Sequence, residues 1–214
     1  MILRKESIDC QLGSGATNVY FLQNEVTKEM IIVDPASNTP YICEVIDKMQ
    51  GTLVAILLTH AHFDHIMALA NLKIQYPDVP IYCGKGDEEL LKYYIEEFSQ
   101  YQLDEKPIEA DVYIEESVLE IANFKIEAIK TPGHSRGSMC YYIREENCLL
   151  SGDTLFLQSV GRTDFGNPQI DGNHEVLIKS IKRLFLLVEE EAMVYPGHGP
   201  KTSVAFERKN NPFL

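Results

Sequence analysis

Apolar and polar positions along the chain fall into runs of two periods. Near the start, ILRKESI (2–8), NVYFLQN (18–24, after GSGAT) and EMIIVDPA (29–36) read as strands. Residues 38–50 place Ile42, Val45, Ile46 and Met49 at helical spacing and predict an amphipathic helix. TLVAILLT (52–59) is apolar without alternation, the mark of a strand covered on both faces. A helix is predicted from near Asp64 to about Gln75, stopped by Pro77, then a strand in VPIYCG (79–84) and a long acidic helix over 85–100. Alternation returns in VYIEE (112–116) and across 118–133 and 138–153, predicting antiparallel strands with turns at Ala122-Asn123 and Glu145–Asn147. In this stretch Tyr141 and Tyr142 are expected to be strand residues, one of them buried. A helix over 173–188, a strand ending in a loop in AMVYPGHGP (192–200) and a short helix over 203–211 complete the pattern. Two runs of strands, each followed by helices, predict two packed sheets with helices outside, in one domain spanning 1–214.

Composition narrows the function classes. A hydrophobic content of 45% with 24% charged residues is that of a folded globular protein, which removes disorder and low complexity from consideration. The net charge of −13 and the lack of any long basic run argue against a nucleic-acid partner, because neutralising phosphates needs clustered Lys and Arg. MILRKESIDC lacks a signal-peptide pattern, and LVAILL (53–58) is far too short to span a bilayer, so a cytoplasmic protein without a membrane partner is expected. The five cysteines, Cys10, Cys43, Cys83, Cys140 and Cys148, form no CxxC pair and read as reduced, mostly buried thiols.

The chemistry concentrates in one stretch. LLTHAHFDHIMAL (57–69) sets His60, His62, Asp64 and His65 directly after the apolar run, and imidazole and carboxylate are ligands of choice for a borderline divalent cation. Three later stretches repeat the grammar. AIKTPGHSRGS places His134 after a strand and a Pro-Gly turn, CLLSGDTLF places Asp153 after a strand and Ser-Gly, and MVYPGHGP places His198 after another Pro-Gly. A single histidine at a strand end is usually a satisfied polar residue; five of the six in this arrangement call for a metal. His174, the exception, is expected on the surface near a helix start.

HAHFDH followed by TPGH, SGD and YPGH resembles the metallo-β-lactamase superfamily, matched in order over nearly the whole chain. VGRTDF (160–165) and the tail ERKNNPFL make the likeness closest to small glyoxalase II-like (hydroxyacylglutathione hydrolase-like) proteins. The resemblance implies an α/β fold, an αββα sandwich of two mixed sheets with helices on both outer faces and a metal centre along one edge. It implies that His60, His62 and His134 hold one divalent ion and Asp64, His65 and His198 a second, with Asp153 bridging them. Zinc is the default, with iron or manganese as alternatives. The residues agree: seven ligands with one shared leave open coordination, and the absence of cysteine among them speaks against a structural zinc knot.

The expected activity is hydrolysis of a small-molecule thioester by a hydroxide held between the ions, since metal-bound water has a pKa of about 7. Asp64 and Asp153 are the candidate catalytic carboxylates, Asp64 orienting the hydroxide through a hydrogen bond. A thiolate leaving group, with an unperturbed pKa near ~8.5, departs without the separate general acid that the motifs lack. Two rivals stand beside this reading, a mononuclear iron persulfide dioxygenase and a non-catalytic metal-binding domain. Asp153 replaces the cysteine of the commonest zinc β-lactamase subclass, which counts against antibiotic hydrolysis. Arg162 and Asp164 are expected to form an internal ion pair, with capture of a substrate carboxylate by Arg162 as the alternative. The sixteen residues after His198 offer no counterpart to the helical glutathione-binding region of full-length glyoxalase II. The thiol carrier and the oligomeric state are left open.

Overall fold

The computed structural model describes residues 1–10, 15–100, 109–168, 170 and 172–214, with backbone alone at 95–100. Gly13 and Ser14 of GSGAT lie outside these residues. The first sheet comprises β1 (Ile2–Asp9), β2 (Ala16–Gln23), β3 (Glu29–Val33), β4 (Thr52–Leu57), β5 (Ile81–Gly84) and β6 (Val112–Ile114), in that order. The first three strands pair antiparallel, and β3 to β6 pair parallel. Parallel neighbours need crossovers, supplied here by α1 (Thr39–Met49), α2 (Phe63–Ile66) with α3 (Leu69–Gln75), and α4 (Glu88–Gln100).

The second sheet begins with β7 (Ser117–Ile121), β8 (Phe124–Lys130), β9 (Met139–Ile143) and β10 (Cys148–Gly152), all antiparallel neighbours. A small hairpin, β11 (Leu155–Phe156) with β12 (Ser159–Val160), precedes α5 (His174–Leu187), β13 (Met193–Pro196), β14 (Thr202–Ser203) and α6 (Val204–Asn210). β13 lies parallel to β10 and β14 antiparallel to β13, giving the order β14-β13-β10-β9-β8-β7. The predicted turn at Ala122-Asn123 joins Ile121 directly to its partner Phe124, both turn residues having positive φ as a tight two-residue hairpin demands.

Three apolar layers hold the sandwich together. Tyr20, Leu22, Ile31 and Leu57 of the first sheet meet Ile126, Ala128, Tyr141 and Leu150 of the second. Val19, Phe21, Ile32 and Ile56 face the other way, against Ile42, Val45, Ile46, Leu72 and Leu91 of the helices. Cys140, Tyr142, Leu149 and Val194 pack beneath Leu177, Ile181 and Leu184 of α5. Because successive strand residues point to opposite faces and both faces are covered, Tyr141 and Tyr142 are both fully buried, where only one was expected to be. Cys10, Cys83, Cys140 and Cys148 are buried thiols and Cys43 is half-buried. No helix among the described residues is long and apolar enough to cross a membrane.

The helix predicted near 64–75 is broken in two. The Ala68 amide donates to the carbonyls of Pro35 and Ala36 (both 3.1 Å), in the loop after β3, in place of an intrahelical acceptor. That exchange ends α2 after one turn and ties the ligand-bearing stretch to the first sheet. His174 is exposed at the first residue of α5, capped by Asn173.

Candidate metal centre

Strand direction brings the motifs together. β8 and β10 are both antiparallel to β9 and so run the same way, and β13 is parallel to β10. The loops after β8, β10 and β13 therefore leave the second sheet at one edge, carrying His134, Asp153 and His198. The loops after β3 and β4 open at that edge from the first sheet. An isolated bridge between Thr17 and His198 joins the two sheets there. Gly197, before His198, meets a steric demand: a Cβ at this position would lie 2.2 Å from Asp153 Oδ1 and 2.8 Å from His65 Cε1.

All seven residues singled out in the sequence converge. His62 Nδ1 lies 2.8 Å and His60 Nε2 lies 3.1 Å from His134 Nε2. His198 Nε2 lies 3.3 Å from Asp64 Oδ2, and His65 Nε2 lies 3.9 Å from the same oxygen. Asp153 touches both groups, with Oδ2 at 3.6 Å from His134 Nε2 and 3.4 Å from His198 Nε2, and Oδ1 at 3.5 Å from His65 Nε2. His60, His62, Asp64, His65 and His134 are buried.

Hydrogen-bond bookkeeping shows which ring nitrogens face inward. Thr59 Oγ1 gives its only proton to Asp34 Oδ2 (2.6 Å), so it accepts from His60 Nδ1 at 3.1 Å. His134 Nδ1 donates to the Arg162 carbonyl (2.7 Å), His198 Nδ1 to the Ala16 carbonyl (2.9 Å) and His65 Nδ1 to Asp34 Oδ2 (2.9 Å). In the neutral rings the Nε2 atoms then present lone pairs to one another and to carboxylate oxygens. His65 Nε2 and Asp153 Oδ1 are buried without a hydrogen-bond partner, as is His62 Nε2. Lone pairs about 3 Å apart repel unless a cation lies between them, and tetrahedral ligands about 2.05 Å from zinc stand about 3.3 Å apart. The donor set fits divalent metal.

The electrostatics agree. Burial and the surrounding imidazoles hold His60 and His62 well below the usual histidine range, and burial lowers His134. In the other half, burial opposes charge on His65, yet Asp34, Asp153 and Asp64 lift it to about 9. Burial likewise opposes charge on His198, but Asp153 and Asp64 lift it to about 11. Burial and the neighbouring Asp153 raise Asp64, and His65 and His198 overcome this to bring it to about 2; Asp153 is held lower than the usual carboxylate range by the same two rings. The carboxylates thus demand positive charge, from protons or from a divalent ion that displaces them.

Asp34 went unrecognised in the sequence although DPA after EMIIV follows the same rule of an acid at a strand end. It is buried, accepts from the Thr59 amide (2.7 Å), Thr59 Oγ1 and His65 Nδ1, and thereby sets two ring orientations. Asp34→Asn puts an N–H where an acceptor is needed; metal affinity is expected to fall roughly 10–100-fold, read by chelator competition. Wild-type affinity in that variant would remove Asp34 from the role.

Asn18 was also missed. Its Nδ2 donates to the carbonyls of Pro196 and Gly199 (both 2.9 Å), bracketing His198 from a strand about 180 positions away. The Arg162–Asp164 pair exists but lies on the surface: Arg162 Nε is 3.5 Å from Asp164 Oδ1, with the side chains 64% and 95% exposed. Arg162 Nε and Nη2 donate to the Asp164 carbonyl (3.0 and 2.7 Å), and the guanidinium stacks 4.9 Å above Phe165. The link from this residue to the centre is its backbone carbonyl on His134. A cleft of about 540 Å³ opens onto the cluster, walled by Phe63, Tyr94, Phe156, Phe165 and Ile170 with Arg162 at its side.

Two mixed sheets, flanking helices and a histidine–aspartate cluster at their common edge define an αββα metallo-hydrolase scaffold. The chain belongs to the metallo-β-lactamase superfamily, whose family model matches residues 12–198. It is 38% identical over 208 residues to the probable metallo-hydrolase YqgX of Bacillus subtilis, covering 95% of this chain and 94% of the relative. It is 30% identical over 194 residues to the hydroxyacylglutathione hydrolase GloC of Haemophilus influenzae, covering 87% and 88%. Among solved structures, the B3 metallo-β-lactamase BLEG-1 superposes with a TM-score of 0.85 at 35% identity, covering 100% of this chain and 99% of that one. TTHA1623, solved in a di-iron-bound form, superposes with a TM-score of 0.82 at 30% identity, covering 99% and 100%. With iron in that relative, the identity of the metal is open.

Proposed function

We propose that the protein hydrolyses small thioesters, of the hydroxyacyl type, at a dinuclear metal centre. The observation that carries this reading is a cluster with a shared carboxylate, Asp153, opening onto a cleft whose described lining residues include no acid outside the cluster. Bound divalent ions would supply an acidified water and an electrophile for the substrate carbonyl. Asp64 and Asp153 both line the cleft, and Asp64 can orient the attacking water by accepting a hydrogen bond from it. Apart from the cluster histidines His62, His134 and His198, the remaining titratable groups among the described lining residues are Arg162 and Tyr94, whose hydroxyl is pushed further up by burial. A hydroxyl so shifted is not matched to protonating a leaving group at neutral pH. A thiolate needs no such help, and the likeness to a hydroxyacylglutathione hydrolase supports the same substrate class.

β-Lactam hydrolysis is the second reading, favoured by the full-length likeness to a B3 metallo-β-lactamase. The replacement of cysteine by Asp153 argues only against a different subclass. Matched thioester, oxygen ester and amide substrates bearing one acyl group distinguish the two when assayed on metal-replete protein beside a β-lactam. A general acid contributes roughly 10²–10⁴-fold where one is used, so the amide is expected to react at least about 10²-fold more slowly than the thioester. Equal thioester and amide rates, or a β-lactam as the best substrate, would overturn the thioesterase reading.

A further inference from the structure

The turn between β5 and α4, KGD at 85–87, ends in a carboxylate with no solvent exposure. Among the described residues no cationic side chain hydrogen-bonds to Asp87. Its three side-chain bonds among the described residues go to the two loops that carry His60, His62 and His134. Oδ2 accepts from the Ala61 amide (3.0 Å), which sits between His60 and His62, and from Ser135 Oγ (2.7 Å), next to His134. Oδ1 accepts from the Gly137 amide (2.6 Å), three residues beyond His134. Ser135 is held from its other side by Ser138, whose Oγ accepts the Ser135 amide at 3.0 Å.

The approach that makes these bonds possible is tight. A Cβ on Gly137 would stand 2.3 Å from the Asp87 amide nitrogen, so the loop after His134 can close on the turn only as glycine. Burying an ionised carboxyl is costly unless several donors compensate it, and three are provided here from segments 26, 48 and 50 positions away. Asp87 makes no hydrogen bond to His65, His198, Asp64 or Asp153.

We propose that Asp87 is a positioning residue for one half of the centre: a single carboxylate that sets the separation of the His60/His62 loop from the His134 loop. Asp34 and Thr59 orient individual rings. Asp87 instead fixes the distance between the two backbones that bear them, and so the spacing of the three converging ring nitrogens. The inference rests on the assignment of His60, His62 and His134 to one ion and not on the choice of substrate.

The test measures Zn(II) affinity of each half separately by chelator competition, the first half in a His198→Ala background and the second in a His134→Ala background. Asp87→Asn keeps the shape but turns one acceptor into a donor. It is expected to weaken the first half roughly 10–100-fold, to leave the second unchanged, and to alter the visible spectrum of Co(II) bound to the first half. A purely structural role would lower the unfolding temperature and move both affinities together, or neither; either result overturns the proposal. Should Asp87→Asn fail to fold, Ser135→Ala removes one of the three bonds and reads the same affinity, and an unchanged value there also overturns it. A protein inert to thioesters would still yield both affinities, so failure of the hydrolase reading is separately visible.

Discussion

Asp153→Ala is expected to cost more activity than any other single change at the centre, about a thousand-fold in kcat/KM. Both oxygens are engaged, Oδ2 near His134 and His198 and Oδ1 near His65, so its loss reaches both halves together. Metal polarisation of a reacting oxygen is worth several kcal/mol, and ~4 kcal/mol corresponds to about a thousand-fold. The variant also leaves three inward-facing imidazoles with one fewer negative neighbour, which weakens the attraction for a second cation. Metal content and kcat/KM should be measured on the same preparation. Two tightly held ions in the variant would show that Asp153 is not the bridge.

His198→Ala should leave about one metal per chain and lower thioester turnover on the order of a hundredfold or more, because, beside the shared Asp153, Asp64 and His65 alone would be left to hold a second ion and its contribution to activating water. The fold should survive. His198 sits in a loop with its side chain 25% exposed, and its one structural bond is to the Ala16 carbonyl. The Asn18 bonds to Pro196 and Gly199 hold the loop without it. Metal stoichiometry and kcat measured side by side for wild type and variant decide the matter. A wild type that binds a single ion, or a variant as fast as wild type, would sink the dinuclear hydrolase reading and bring the mononuclear persulfide dioxygenase forward. The oxygen uptake of the protein with a persulfide substrate would then be the measurement of interest.

The element pattern was largely legible because it depends on neighbours in sequence. LVAILL reads as a covered strand and lies between α-helices and a second sheet, and Ala122-Asn123 reads as a turn and is one. Two-residue strands such as Leu155–Phe156 and Ser159–Val160 are too short to show alternation, and the hairpin they form was not anticipated. The break between α2 and α3 was equally invisible, since its cause is an acceptor more than thirty positions upstream.

The sequence alone determined which side chains could meet a cation. Histidine and aspartate stand directly after apolar runs, four of them in HAHFDH and one each in TPGH, SGD and YPGH, and strand-end loops are exposed to one another only at the sheet edge. Tertiary structure decided how those side chains are held. Asp34 reaches His65 across 31 positions, Asp87 ties Ala61 to Ser135 and Gly137, and Ala16 fixes the His198 ring across 182. It also set the Arg162 guanidinium against Asp164 and Phe165 at the side of the cleft, while the Arg162 carbonyl orients His134. The physical reason is range: hydrophobic periodicity and turn chemistry are local signals, whereas a buried ring or carboxylate takes its partner from whatever segment the packed sheets bring alongside.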